Sequence, residues 1–265
     1  LARASYVRLF GALTGNMSAA DSVLAVVSKN YQALRDSVRA LMTVPGEDPQ
    51  SADAEQRICA RKILVNIPYK DQWFIPGQEN YLSHLVRDAG GEILGSEPGT
   101  SISGQISVER AYSLSKEASL WLNVGWCRTL DQLLSVNPLF GDFLMNIQHN
   151  AAANGFGSAS GSASVGGSAS AGSSDSVGSS DSVGCFASTD CSASGGVLTS
   201  VDESTHADGQ ASPQVVWNDN SRQNAKGGND FWESGVVRPD LILRDLIGIF
   251  SGEYGHAIIY YKSIK

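Results

Sequence analysis

Apolar side chains recur every three or four residues through the opening of the chain: Leu9 and Leu13, then Val23, Val26, Val27, Tyr31, Leu34, Val38 and Leu41. That is the period of a helix with one buried face. Gly15-Asn16 interrupts the run in the manner of a helix end, so the spacing predicts two helices over residues 1–43. Residues 45–55 are polar, contain Pro45 and Pro49, and read as a loop. The period then changes. Arg61-Lys-Ile-Leu-Val-Asn-Ile67 is short, continuously apolar at its centre and β-branched, which predicts a buried strand. Residues 68–77 follow as a loop carrying Trp73, Phe74 and Pro76. Tyr81, Leu82, Leu85 and Val86 share one helical face over residues 80–89, with Gly90-Gly91 as the stop. A short strand is expected at 92–94 and a helix at 107–118, with Ser107 as N-cap and Glu109 favourably placed at the positive end of the helix dipole. Residues 119–124 predict the next buried strand, 125–128 its terminal loop, and 129–134 the start of a helix. Farther on, 214–217 read as a strand, 218–230 as a polar loop, and 238–250 as a helix carrying Leu241, Leu243, Leu246, Ile247 and Phe250.

Short apolar strands alternating with helices predict an α/β fold, a parallel sheet flanked by helices. Ligands of such sheets sit at the carboxyl ends of the strands. The loops 68–77, 125–128 and 218–230 meet that description, and all three hold aromatic or amide side chains.

Composition interrupts this pattern. Residues 151–213 consist largely of Gly, Ser and Ala, with the tandem repeat Gly172-Ser-Ser-Asp-Ser-Val177 and Gly178-Ser-Ser-Asp-Ser-Val183. So few large apolar residues cannot offset the entropy of ordering, and this low-complexity insertion is expected to be disordered. The net charge of −8, with no basic run, argues against nucleic acid or an anionic membrane as the main partner. No apolar stretch is long enough to span a membrane. The chain opens at Leu1 within a helical pattern, with no Met and no signal peptide, so it is expected to begin inside a longer product. Cys59, Cys127, Cys185 and Cys191 form no Cys-x-x-Cys pair and no zinc-site spacing, so no metal site is expected. Cys185 and Cys191 close a short loop, as a disulfide or as two free thiols.

No catalytic set assembles. His84, His149, His206 and His256 fall outside the strand-end loops, and there is no Gly-x-Ser-x-Gly elbow. Neither a Walker loop nor a dinucleotide fingerprint follows a strand, so no cofactor and no enzyme are expected. The aromatics Trp73, Phe74 and Trp126 read either as plugs folded onto the core or as the wall of a binding cleft, and two such loops at one sheet end favour the wall. Tyr81, at the first turn of its helix, has the same two readings. Asn218, Asn220, Arg222 and Asn224 alternate through a loop, either as a solvated turn or as polar ligand contacts. Glu233 is either ordinary surface or a docking carboxylate.

Three segments carry a resemblance: Trp73-Phe-Ile-Pro-Gly77 with Tyr81-Leu-Ser-His-Leu-Val-Arg-Asp-Ala-Gly-Gly91; Ile106-Ser-Val-Glu-Arg-Ala-Tyr112 through Ala118-Ser-Leu-Trp-Leu-Asn-Val-Gly125; and Gly227-Gly-Asn-Asp-Phe-Trp-Glu-Ser-Gly-Val-Val-Arg-Pro-Asp-Leu-Ile-Leu-Arg-Asp-Leu-Ile247. They resemble the C-terminal lobe of substrate-binding proteins of iron-chelate and cobalamin ABC importers, in the versions found in Bacteroidetes-like bacteria. The resemblance implies two lobes joined by a rigid helix, with ligand in the cleft between them. Residues 1–14 would be the end of that helix, 15–150 and 214–265 the C-terminal lobe, and 151–213 an insertion within it. It implies periplasmic or envelope capture of an iron siderophore, haem or corrinoid, and delivery to permease subunits. The membrane would be met only through the permease or a lipid anchor upstream. Trp73, Phe74, Tyr81 and Trp126 would wall the cleft, Asn218 and Arg222 would make polar contacts, and Glu233 would dock the permease. The Asp-Ser-Val triplets at 175–177 and 181–183 resemble the O-glycosylation sequon of Bacteroidetes envelope proteins. The alternative function is a structural or adhesive surface protein that displays the Gly/Ser segment.

Overall fold

The computed structural model describes residues 1–42, 61–154, 214–224, 226–252 and 257–265. Two helices open the chain, α1 at Tyr6–Thr14 and α2 at Met17–Met42. They are divided at Gly15, whose φ of 71° is left-handed and suits a residue without Cβ. Strand β1 spans Arg61–Val65, β2 Trp73–Ile75 and helix α3 Tyr81–Asp88. Then come β3 at Gly91–Ile93, β4 at Gly104–Ile106, α4 at Val108–Ser115 and β5 at Leu120–Leu122. Helices α5 at Leu130–Val136 and α6 at Phe140–Ala153 lead to β6 at Val216–Asn218. A 3-10 turn at Asp230–Trp232, α7 at Ser234–Val237, α8 at Pro239–Ser251 and β7 at Lys262–Ser263 complete the order.

The main sheet runs β3-β1-β5-β6-β7. Its first four strands are parallel, with Ile63 opposite both Ile93 and Leu120, and Leu122 opposite Trp217. Only β7 runs antiparallel, Trp217 facing Ser263. The strand order reverses beside β1. The connection through α3 leads outward to β3, whereas the one through α4 leads back across β1 to β5. Right-handed crossovers therefore put α3 and α4 on opposite faces of the sheet. Helix α6 packs on β5 and α4, while α8 packs on α3 and α2, so both faces are covered. The α/β architecture, a mainly parallel sheet flanked by helices, is as the hydrophobic pattern predicts.

Local chemistry fixes the helix starts. Asn80 accepts from the Leu82 amide at 3.1 Å, Ser107 from Arg110 at 3.2 Å and Thr129 from Gln132 at 3.3 Å, each capping its helix. The core centres on stacked aromatics. Trp73 lies 5.6 Å from Phe143 at 6° between ring planes, and 5.9 Å from Trp121 at 23°.

Several expectations need correction. Residues 68–77 are not all loop: 73–75 form β2, which pairs antiparallel with β4 in a second small sheet. Helix α6 lies where no helix was expected, and it runs on into the Gly/Ser/Ala stretch with Ala151 fully buried. The alanines at 151–153 therefore belong to a packed helix, while 155–213 lie outside the described residues, with the Asp-Ser-Val repeats, Cys185, Cys191 and His206 among them. Leu9, Leu13, Val23 and Val26 are exposed, and α1 buries only Gly11. A Cβ at Gly11 would sit 2.5 Å from that of Ala20, so close helix approach decides the face that α1 turns inward.

Candidate functional site

The carboxyl ends of β1, β5 and β6 open on the same side, because the three are parallel neighbours. Between β1 and β5 the chain departs in opposite directions, which is the switch point where open α/β sheets hold ligands. Each of these strands ends in asparagine. Asn66 follows β1 and Asn123 follows β5, both left-handed at φ of 66° and 59°, a conformation asparagine tolerates better than most residues. Asn218 is the last residue of β6. The turn at Asn66 is held by its own amide, donating to the Phe74 carbonyl at 2.7 Å, and by the Trp121 indole, donating to the Asn66 carbonyl at 2.7 Å.

Three large aromatics stand out from the loops beyond these ends. Tyr69, after β1, is 66% exposed; Trp126, after β5, is 62% exposed; Trp232, beyond the β6 loop, is 53% exposed. Lys70 lies over the Tyr69 ring at 5.3 Å, and Trp232 packs edge-on against buried Phe231 at 4.9 Å. The loops of β5 and β6 are tied together by Arg128, whose guanidinium donates to the Gln223 side chain at 2.8 Å.

Of the aromatic residues singled out from sequence, Trp126 is the exposed one, as an aromatic wall requires. Trp73 is 0% exposed; its indole donates to the Val65 carbonyl at 2.8 Å, and Trp121, Phe140 and Phe143 surround it, so it is a core residue with no face left for a ligand. Phe74, next to it on β2, points to the opposite side of the small sheet and is half-buried. Tyr81 is also half-buried, with the Arg3 guanidinium over its ring at 4.3 Å. Burial pushes its hydroxyl up to about 12, Arg3 pulling the other way, and that buried hydroxyl has no hydrogen-bond partner among the described residues. Asn218 is completely buried and donates to the carbonyls of Gly125 and Cys127 at 2.8 and 2.9 Å, so it contacts backbone and no ligand. Arg222 is exposed and paired with Asp230 at 3.1 Å. Glu233 is exposed beside Trp232. The pairing of β5 with β6 thus brings Asn218 to the turn that carries Trp126, while Arg222 lies farther along the β6 loop and Trp73 is enclosed in the core.

Sequence reasoning did not single out Tyr69, Trp232 or Asp219. Tyr69 and Trp232 carried a usable signal, large aromatics in polar stretches beyond predicted strands. Asp219 follows β6 directly and is partly buried; burial pushes its carboxyl up to about 6, against a 3.4 Å hydrogen bond from Asn229 that favours the charged form. Among the described residues no three His, Cys, Asp or Glu side chains group to hold a metal ion, and no helix is long and apolar enough to cross a membrane.

No protein-family model matches the chain, and no curated protein matches it. A solved structure from Staphylococcus epidermidis, described as a possible iron-binding (periplasmic solute-binding) protein, is similar at 13% identity and a TM-score of 0.38. The similarity covers 58% of this chain and 50% of that one, so the chain spans about half the length of the structure it matches. A TM-score this low does not establish a shared fold.

Proposed function

We propose that this chain is the C-terminal, ligand-binding lobe of the solute-binding component of an ABC importer, and that it takes a metal chelate: an iron siderophore, haem or a corrinoid. It binds without catalysing a reaction, works in the cell envelope, and passes its ligand to a permease. The observation that carries this reading is the set of exposed aromatics, Tyr69, Trp126 and Trp232, on the loops at the carboxyl edge of the parallel strands. Large rigid rings there offer contact area to a bulky, partly planar ligand at little entropic cost. The sequence segments that resemble these importers supply the ligand class. The half-buried Phe74 and Tyr81 are assigned to the same wall, Arg222 offers a polar contact, and Glu233 beside Trp232 contacts the permease.

Calorimetric titration with ferrichrome, haemin and cyanocobalamin tests this. One chelate is expected to bind with Kd on the order of 0.1 mM, since a single wall encloses only part of a ligand. Replacing Tyr69, Trp126 and Trp232 together by alanine should abolish that heat. Absence of binding by all three chelates, or equal binding by the triple variant, would overturn the proposal.

A further inference from the structure

We infer that Asn218 is a positioning residue that holds Trp126 out in its ligand-facing pose, an inference that rests on the proposed function for its consequence but not for its geometry. Trp126 occupies the tip of a tight turn: the Cys127 amide donates back to the Val124 carbonyl at 3.4 Å, and Gly125 before it is left-handed at φ of 63°. A turn of this kind leaves the carbonyls on both sides of the tryptophan directed inward, where no strand can take them. Asn218 answers both. Its two amide protons go to Gly125 and Cys127, at 2.8 and 2.9 Å, so the carbonyls flanking Trp126 are fastened to one buried side chain. Its carbonyl oxygen accepts from the Asp219 amide at 3.1 Å, which fixes the orientation of the group. Asn220 adds a weaker second bond to Cys127 at 3.3 Å.

The chemistry is specific to an amide. Two donors on one planar nitrogen match two converging carbonyls; an aspartate there would set a carboxylate against both. From below, Ile67 lies against the turn: a Cβ at Gly125 would meet its Cδ1 at 3.1 Å. With the backbone pinned on both sides of Trp126, the direction of its Cα–Cβ bond is set, and the indole that extends along it is 62% exposed. An exposed tryptophan on a loose loop must be ordered when ligand binds, which weakens affinity; one already held in place avoids that cost. Asn218 therefore acts on the ligand through Trp126 without touching it.

Trp73, Trp121 and Trp217 are buried, so in a Trp232→Phe background Trp126 is the single exposed tryptophan of the four that remain. Iodide quenching isolates its signal, and time-resolved anisotropy reports its motion. Adding Asn218→Ala should introduce a fast local depolarisation of the iodide-accessible component, measured well below the melting temperature. Unchanged anisotropy would overturn the inference whether or not any chelate binds, since this arm contains no ligand. Should Asn218→Ala fail to fold, Asn218→Ser, which keeps one donor, enters the same measurement with the same two outcomes. With a chelate found to bind by calorimetry, Asn218→Ala should weaken it about tenfold, and should weaken Trp126→Ala no further. Equal losses in the presence and absence of Trp126 would show that Asn218 does not act through it.

Discussion

Burial at the end of β6 holds the Asp219 carboxyl near 6, above its ordinary 3.8. A carboxyl whose folded value is raised binds its proton more tightly in the folded chain. Stability is therefore complete below about pH 4 and falls as pH rises toward 6, by on the order of 2–3 kcal/mol. Asp219→Asn removes that titration. The variant should be more stable than the parent at pH 7.5, with the difference vanishing near pH 4; thermal melts at the two pH values check this, and a constant difference would show that Asp219 is ionised at no cost. At this scale the sequence was only partly legible. Trp73 and Trp126 look alike as aromatics in strand-end loops, yet one is enclosed by three rings and the other stands in solvent. The difference comes from β2, which pairs with β4 some thirty residues away and so turns Trp73 inward. No local pattern reports a pairing of that kind. Asn218 misled for a related reason: its side chain reaches the β5 loop, and only the parallel pairing of β5 with β6 brings the two together.

At the scale of elements, periodicity and capping residues located most of the secondary structure. Ser107 caps α4, Gly15 divides α1 from α2, and the apolar runs at β1 and β5 are the fully enclosed centre of the sheet. The misses were β2, β4, α6, α7 and β7. The strands and α7 are two to four residues long, too short to show a period, whereas α6 buries Phe140, Phe143, Leu144, Ile147 and Ala151 at helical spacing and was obscured by the low-complexity sequence it leads into. The helix α1 was placed correctly but its inward face was not, because Gly11 and not a leucine makes the contact. Gly11→Leu should lift α1 from α2, since the new Cβ would collide with Ala20, at an overpacking cost of about 1–3 kcal/mol. As α1 buries little else, the loss should be local. Trypsin cleavage at Arg8 is expected to rise about tenfold or more while the main melting transition stays within a few degrees. An unchanged cleavage rate would show that α1 does not depend on that contact.

For the whole molecule, what matters is that the doubly wound order makes one edge of the sheet a place where loops from β1, β5 and β6 converge. That convergence was foreseeable from strand–helix alternation; which side chains it leaves exposed was not. Ligand is expected to bind at this edge and to leave the aromatic core untouched. The indole N–H signals of the five tryptophans separate the two directly. Those of Trp73, Trp121 and Trp217 come from indoles bonded to the carbonyls of Val65, Asn66 and Gln214 inside the fold, whereas Trp126 and Trp232 stand in solvent. In a nitrogen-15 spectrum titrated with the chelate that binds by calorimetry, the Trp126 and Trp232 indole signals should shift or broaden while those of Trp73 and Trp121 hold still. A bound chelate that leaves both exposed indoles unmoved would place the ligand elsewhere and overturn binding at this edge.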